Sequence, residues 1–110
     1  MDFKPKLVRD KIPEIIAADG KECDVYVLND DSEYRLCLFE KMYEEVDEFQ
    51  NDPSLEEAAD VYEVFMSLLE LHGLAMGDVW RELVDKRSAR GGFSRRIFLR
   101  AIEEKCNFTE

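Results

Sequence analysis

The chain has 110 residues, 45% hydrophobic and 37% charged, with 26 acidic against 15 basic side chains and a formal net charge of −11. A chain of that length holds one domain, here residues 1–110, with a modest core. Its charge argues against general nucleic-acid or anionic-membrane binding, and its longest apolar stretch, near residues 64–69, is too short to span a bilayer.

In chain order, residues 6–9 read as a short extended lead-in. A brief helix is predicted over Ile12–Ala18, with Pro13 tolerated in its first turn and Gly20 as a stop. Residues 23–28 alternate enough to predict a short strand. Asp30, Asp31 or Ser32 can cap a long helix running to about Gln50, and Asn51, Asp52 and Pro53 then form a turn. Ser54 opens a second long helix that continues to His72, where Gly73 ends it. This helix is apolar nearly all round, from Ala58 and Val61 to Leu69 and Leu71, so it is expected to be central in a bundle or shared with another subunit. A homodimer is the simplest such assembly, with a homotetramer next. A third helix is predicted over residues 76–89, with Val79, Trp80, Leu83 and Val84 inward, followed by Gly91, Gly92 and a basic tail.

The N-terminal MDFKPKLVRDK has no apolar signal-peptide core. Cys23, Cys37 and Cys106 are an odd number without metal-binding spacing, as expected of reduced thiols that fill structure in a cytoplasmic protein.

Four carboxylates stand out by the face they occupy. In the first long helix Leu38, Met42, Glu45 and Phe49 share one row; in the second, Glu57, Val61, Val64, Leu68 and Leu71 do the same. Glu45 and Glu57 therefore interrupt inward apolar seams, with Glu48 and Asp60 three residues beyond each. An unpaired carboxylate facing a helix interface costs several kcal/mol. Lys41 is the only basic residue close in sequence, so a hard divalent cation is the expected compensation. Asp60→Asn is then expected to lose that cation and to stabilise the metal-free fold by removing a near-buried charge. Glu40, Glu44 and Asp47 read as solvated, and Ser54 with Glu57 also fits a capping box.

Charge is segregated along the chain. Residues 22–80 carry 17 acids against two bases, and residues 81–105 carry eight bases against four acids. A metal–polyphosphate ligand needs both signs. Lys86 and Arg90, four apart before Gly91-Gly92, can approach one anion, although basic residues and glycine also suit any helix end. The single histidine, His72, reads as structural. No Glu-x-x-His pair exists for a di-iron centre and no His or Cys set for zinc, so oxygen ligands favour Mg2+ first and Mn2+ second. Tyr43, Tyr62, Phe65 and Trp80 could stack on a base, but such spacing more commonly builds core.

These residues resemble the all-α nucleoside triphosphate pyrophosphatases, the MazG-like and phosphoribosyl-ATP pyrophosphohydrolase-like group, whose pattern is E-E-x-x-E followed by E-x-x-D on a later helix. The chain has EEVDE at 44–48 and EAAD at 57–60. KLVRDKIPEII at 6–16 and K-x3-RGGF at 86–93 look like a subgroup of small stand-alone members, so the resemblance spans about residues 6–100. It departs in the short gap between the acidic clusters, eight residues from Glu48 to Glu57, and in lacking the second domain of larger members.

The resemblance implies an all-α, mainly helical fold, a bundle assembled across subunits with short N-terminal extended segments and Mg2+ between the acidic helices. It implies hydrolysis of nucleoside triphosphates between the α- and β-phosphates to monophosphate and pyrophosphate, often to clean the nucleotide pool. Glu45, Glu48, Glu57 and Asp60 would be the ligands, with Glu44 and Glu45 as the catalytic carboxylates and Glu44 a candidate second-metal ligand or base. The ion would neutralise the triphosphate and acidify an attacking water. Lys86 and Arg90 would hold phosphate oxygens, with Arg9 and Lys11 next. Two rival readings remain open: phosphoribosyl-ATP as substrate, and a non-catalytic acidic helical module that binds a protein partner.

Overall fold

The computed structural model describes residues 4–104, so Cys106 lies outside the described residues. These form four helices and no strand: α1 (Ile12–Ala18), α2 (Asp31–Asn51), α3 (Leu55–Leu71) and α4 (Met76–Arg90). The fold is all-helical as expected, and each helix lies within a residue or two of its predicted bounds. The strand predicted over residues 23–28 is absent. That segment has no regular structure and exposes Val25, Tyr26 and Val27. Alternation alone cannot make a strand when no neighbouring strand offers its backbone groups a partner. Cys23, in the same segment, is exposed, so it fills no core; Cys37 on α2 is half-buried.

Local chemistry fixes where the helices start and stop. The Asp30 carboxylate accepts the Ser32 backbone N–H at 3.0 Å, which caps α2. Ser54 Oγ does the same for the Glu57 N–H at 3.3 Å and caps α3. Asp31 and Glu33 in the first turn of α2, and Glu56 and Glu57 in that of α3, lie where the helix dipole favours anions. At the other end of α3, Gly73 takes φ +69°. Its N–H reaches the Glu70 carbonyl at 3.1 Å, and the Leu74 N–H reaches the Leu69 carbonyl at 2.9 Å. Those two bonds form a Schellman closure, which demands a left-handed residue that glycine supplies without strain.

The chain divides after Met76 into two compact units. In the first, residues 52–54 link α2 to α3 as a helical hairpin. Its seam is Leu38, Val64 and Leu68, between 3% and 8% exposed, with Leu7, Tyr34, Phe39, Met42 and Leu71 packed against it. The predicted rows meet here, with one correction: Phe49 ends its row 38% exposed, beyond the covered part of the seam. Tyr43, Tyr62 and Phe65 are exposed as well, so they are not core in the single chain.

His72 has a structural role. Its Nδ1 lies 2.8 Å from the Leu68 carbonyl, and Arg35 Nε donates to its Nε2 at 3.2 Å, which fixes the Nδ1–H tautomer. The Arg35 guanidinium also lies 5.1 Å from the Phe39 ring centre, and Phe39 meets His72 edge-on. These contacts tie the end of α3 to the first half of α2.

In the second unit α4 is the only helix among the described residues. That unit has no second helix to cover the predicted inward stripe, and Trp80, Leu83 and Val84 are exposed, with Val79 half-buried. The α4 end follows the sequence expectation, with Arg87 and Arg90 in the last turn and Gly91 at φ +84°.

With so thin a seam, truncating Leu68 to alanine is expected to cost about 2–3 kcal/mol, at the lower end for a buried leucine. Leu55→Ala, at a residue 92% exposed, should cost no more than about 0.5 kcal/mol. Urea unfolding of the two variants measures both; equal midpoints would place the core elsewhere.

Candidate metal centre

The site grows out of the hairpin turn. Because the link is short, the last turns of α2 and the first turns of α3 lie together, and each carries carboxylates. Glu44, Glu45 and Glu48 on α2 place one oxygen each within 4.8 Å of one another; so do Glu45, Glu57 and Asp60. Glu45 belongs to both triplets and joins the two helices. The structure therefore brings together all of Glu44, Glu45, Glu48, Glu57 and Asp60. Ser54 caps α3 through its own hydroxyl, yet the Glu57 carboxylate reaches Glu45 and Asp60, so capping does not exhaust its role. Glu40 and Asp47 are exposed, as expected, whereas Glu44, expected on the same solvated face, is half-buried and paired with Lys41.

Glu45 is the buried member, 5% exposed, among the apolar residues of the seam. Lys41 meets it: its Nζ is 3.1 Å from Glu45 Oε1 and 2.8 Å from Glu44 Oε1. The cation that sequence offers one turn earlier thus satisfies one oxygen of Glu45 directly. The other, Oε2, is buried and has no hydrogen-bond partner among the described residues, and the same holds for Glu57 Oε2. A buried acceptor left without a partner costs on the order of 1–3 kcal/mol, more when it is charged. These two orphaned oxygens are the test of whether a metal fits, and they fit. Opposite oxygens around Mg2+ lie about 4 Å apart, a span that the 4.8 Å limit on each triplet accommodates. The donors are all carboxylate oxygens, as a hard cation prefers.

Asp60 corrects an expectation. Its side chain is 32% exposed and takes a guanidinium N–H from Arg9 at 2.7 Å. Arg9 also approaches Glu63 at 3.8 Å. Asp60 is neither near-buried nor unpaired, so Asp60→Asn would lose an ion pair and not relieve a stranded charge. The pair is solvent-accessible, with Arg9 55% exposed, and such pairs contribute at most about 1 kcal/mol. Arg9 is held against a carboxylate, 51 residues away in sequence, and not free for an anion.

The other basic candidates take no part in these pairs. Lys11 is exposed at the N-cap of α1. Lys86 and Arg90 are exposed on α4, in the second unit, and neither has an ion-pair partner among the described residues. Lys41 was the role sequence reasoning missed. Its spacing of three and four from Glu44 and Glu45 is the ordinary helical signal for a salt bridge. Arg9 to Asp60 has no such signal.

The charges act on one another. Burial works against the ammonium of Lys41, but hydrogen bonds and charge from Glu44 and Glu45 outweigh it and raise its pKa. Lys41 in turn holds Glu44 below the ordinary carboxylate range through its hydrogen bond, against the opposing effect of burial. Glu57 goes the other way: burial first, then the negative charges of Glu48 and Asp60, push its pKa up.

A cleft lined by Arg35, Leu36, Phe39, Glu40 and Tyr43 of α2 holds none of these carboxylates. No family model matches the chain, and no curated protein or solved structure matches it.

Glu57 carries a pH prediction. A carboxyl whose folded pKa lies above its unfolded value binds its proton more tightly when folded. Its effect on stability is nil below the ordinary value of 4.5 and becomes unfavourable as pH rises through the raised folded value. The metal-free wild type is therefore expected to melt progressively lower relative to Glu57→Gln as pH climbs from that range, and Mg2+ should narrow the gap. Thermal melts of the two proteins across pH check this; a gap that stays constant with pH would mean that Glu57 titrates normally.

Proposed function

We propose that this chain is an Mg2+-dependent nucleoside triphosphate pyrophosphohydrolase that cleaves between the α- and β-phosphates, giving a nucleoside monophosphate and pyrophosphate. One observation carries the reading: two carboxylate triplets, from two helices, share a buried Glu45 and leave Glu45 Oε2 and Glu57 Oε2 without partners. The order of motifs along the chain, EEVDE, EAAD and K-x3-RGGF, supports it through the resemblance to all-α pyrophosphatases.

Glu45, Glu48, Glu57 and Asp60 would hold the ion, which supplies charge neutralisation for phosphate oxygens and acidifies water. In the reaction a water oxygen bonds to the α-phosphorus, the bond from that phosphorus to the bridging oxygen breaks, and pyrophosphate leaves with that oxygen. The proton lost by the water needs a carboxylate acceptor. Glu44 is the candidate acceptor, and its hydrogen bond to Lys41 holds it in place while lowering its basicity. Lys86 and Arg90, exposed and without ion-pair partners among the described residues, are the side chains suited to phosphate oxygens.

The exposed Phe49, Tyr62, Phe65 and Met66 support assembly of two or more copies, since α2 and α3 leave apolar surface that one chain does not cover. Sedimentation at micromolar concentration is expected to give a mass above that of one chain; a mass of 12.9 kDa would remove assembly from the reading.

Pyrophosphate release from a panel of ribo- and deoxyribonucleoside triphosphates, with and without Mg2+, tests the activity. Release is expected only with the metal, and Asp60→Asn should lower it by at least ~10²-fold, as loss of a metal ligand exceeds the usual 10–100-fold effect of an outer partner. Turnover that survives both EDTA and Asp60→Asn would refute the site. Failure on every triphosphate, with release from phosphoribosyl-ATP, would move the substrate; failure on both would leave a binding module.

A further inference from the structure

We infer that the Lys41 ammonium fills one of two cation seats in the carboxylate cluster, so that the chain binds a single divalent ion, between Glu45, Glu57 and Asp60, with Glu48, a ligand in the reading above, left on the ammonium's side. The inference rests on the metal-dependent reading above and adds the number and place of the ions.

The cluster offers two triplets that share Glu45, a layout that could take a pair of divalent ions bridged by one carboxylate. Two-metal sites hold their ions about 3.5–4 Å apart. In the Glu44, Glu45, Glu48 triplet the ammonium already sits 2.8 Å from Glu44 and 3.1 Å from Glu45. Lys41 is itself largely buried there, its side chain 19% exposed. A divalent ion entering that triplet would meet a positive charge at contact distance and would have to push a buried ammonium aside.

The other triplet is built differently. Glu45 is more than nine-tenths buried, and its Oε2 has no partner. Glu57 Oε2 is likewise buried and orphaned. Among the described residues Asp60 is held only by Arg9, through an exposed pair on one oxygen, Oδ1. Glu57, with its orphaned Oε2, belongs only to the triplet that Lys41 does not occupy, and Glu45, shared by both, has Oε1 on Lys41 and Oε2 unpartnered among the described residues. Lys41 is a positioning residue in this scheme: it binds Glu45 Oε1 and leaves Oε2 for the ion.

Mn2+ titration of the full chain, followed by electron paramagnetic resonance of the free ion, counts the sites without reference to turnover. Wild type and Lys41→Arg are expected to bind one Mn2+ per chain, and Lys41→Gln to gain a second, weaker one. Glu44→Gln should keep the single site within about 3-fold of wild-type affinity, because Glu44 belongs to the ammonium, whereas Asp60→Asn should lose at least ~10-fold. Two ions in the wild type would overturn the inference and leave the metal-dependent activity standing. So would a Glu44→Gln loss as large as that of Asp60→Asn, a result that remains readable if Lys41→Gln fails to fold. A folded Lys41→Gln that still binds one ion would also overturn it. No Mn2+ binding by any of the proteins would overturn both this inference and the proposed function.

Discussion

The constraint on which the rest depends is a carboxylate where a hydrocarbon would be cheaper. Glu45 lies in the seam between α2 and α3, in the row of Leu38 and Met42, and is as buried as the leucines around it. Burying a charge costs several kcal/mol even after relaxation, and a well-packed apolar side chain of similar size is often the more stable choice. Lys41 recovers part of that cost on one oxygen, at the further expense of burying an ammonium. A hairpin with no more than a thin core therefore carries a buried ion pair and two orphaned oxygens near its turn. Such an arrangement is hard to account for by stability alone, and functional sites are where local rules are commonly broken.

The geometry of the site follows from how the hairpin is closed. The Ser54 cap and the short link starting beyond Asn51 set which turns of α3 face the end of α2, and the Schellman closure at Gly73 with the His72 contacts fixes the far end. Between those two points α3 has little freedom to rotate. Its seam residues Val64 and Leu68 face Leu38, and the same register carries Glu57 and Asp60 to Glu45. One packing solution thus serves both the core and the carboxylates. Residues three and four apart on a helix share a face, so the register that buries one row brings the other to the site.

Most of this was legible because it is local. Helix bounds were set by caps, a proline and glycines whose reach is a few residues, and they came out within a residue or two. The carboxylate rows were legible for the same reason, since helical spacing decides which face a residue takes. What failed needed information from elsewhere. Residues 23–28 alternate like a strand, but a strand exists only with a partner, and none is present among the described residues. The α4 stripe of Trp80, Leu83 and Val84 reads as inward-facing, yet the described residues of its unit contribute no second helix to cover it. Arg9 and Asp60 meet across 51 positions with no periodicity to announce the pairing. Lys41 was different, because its helical spacing to Glu44 and Glu45 was in plain view. Treating it as a neighbour in sequence, and not as the counter-ion, overstated how much compensation a metal had to supply.

Placing the site on the hairpin also couples ligand to fold. The seam residues and the carboxylates belong to the same pair of helices, so an ion bridging Glu45 to Glu57 and Asp60 would be a cross-link between them. A ligand that binds only the folded state adds RT ln(1 + [L]/Kd), or about 2.7 kcal/mol at a hundred times Kd. Set against typical stabilities of about 5–15 kcal/mol for a domain, that is a large share for one with so thin a core. The buried carboxylates that weaken the metal-free hairpin are the groups through which an ion would strengthen it. Relief of the orphaned oxygens and tightening of the helix pair would then be a single event, with α3 held most firmly when the site is filled.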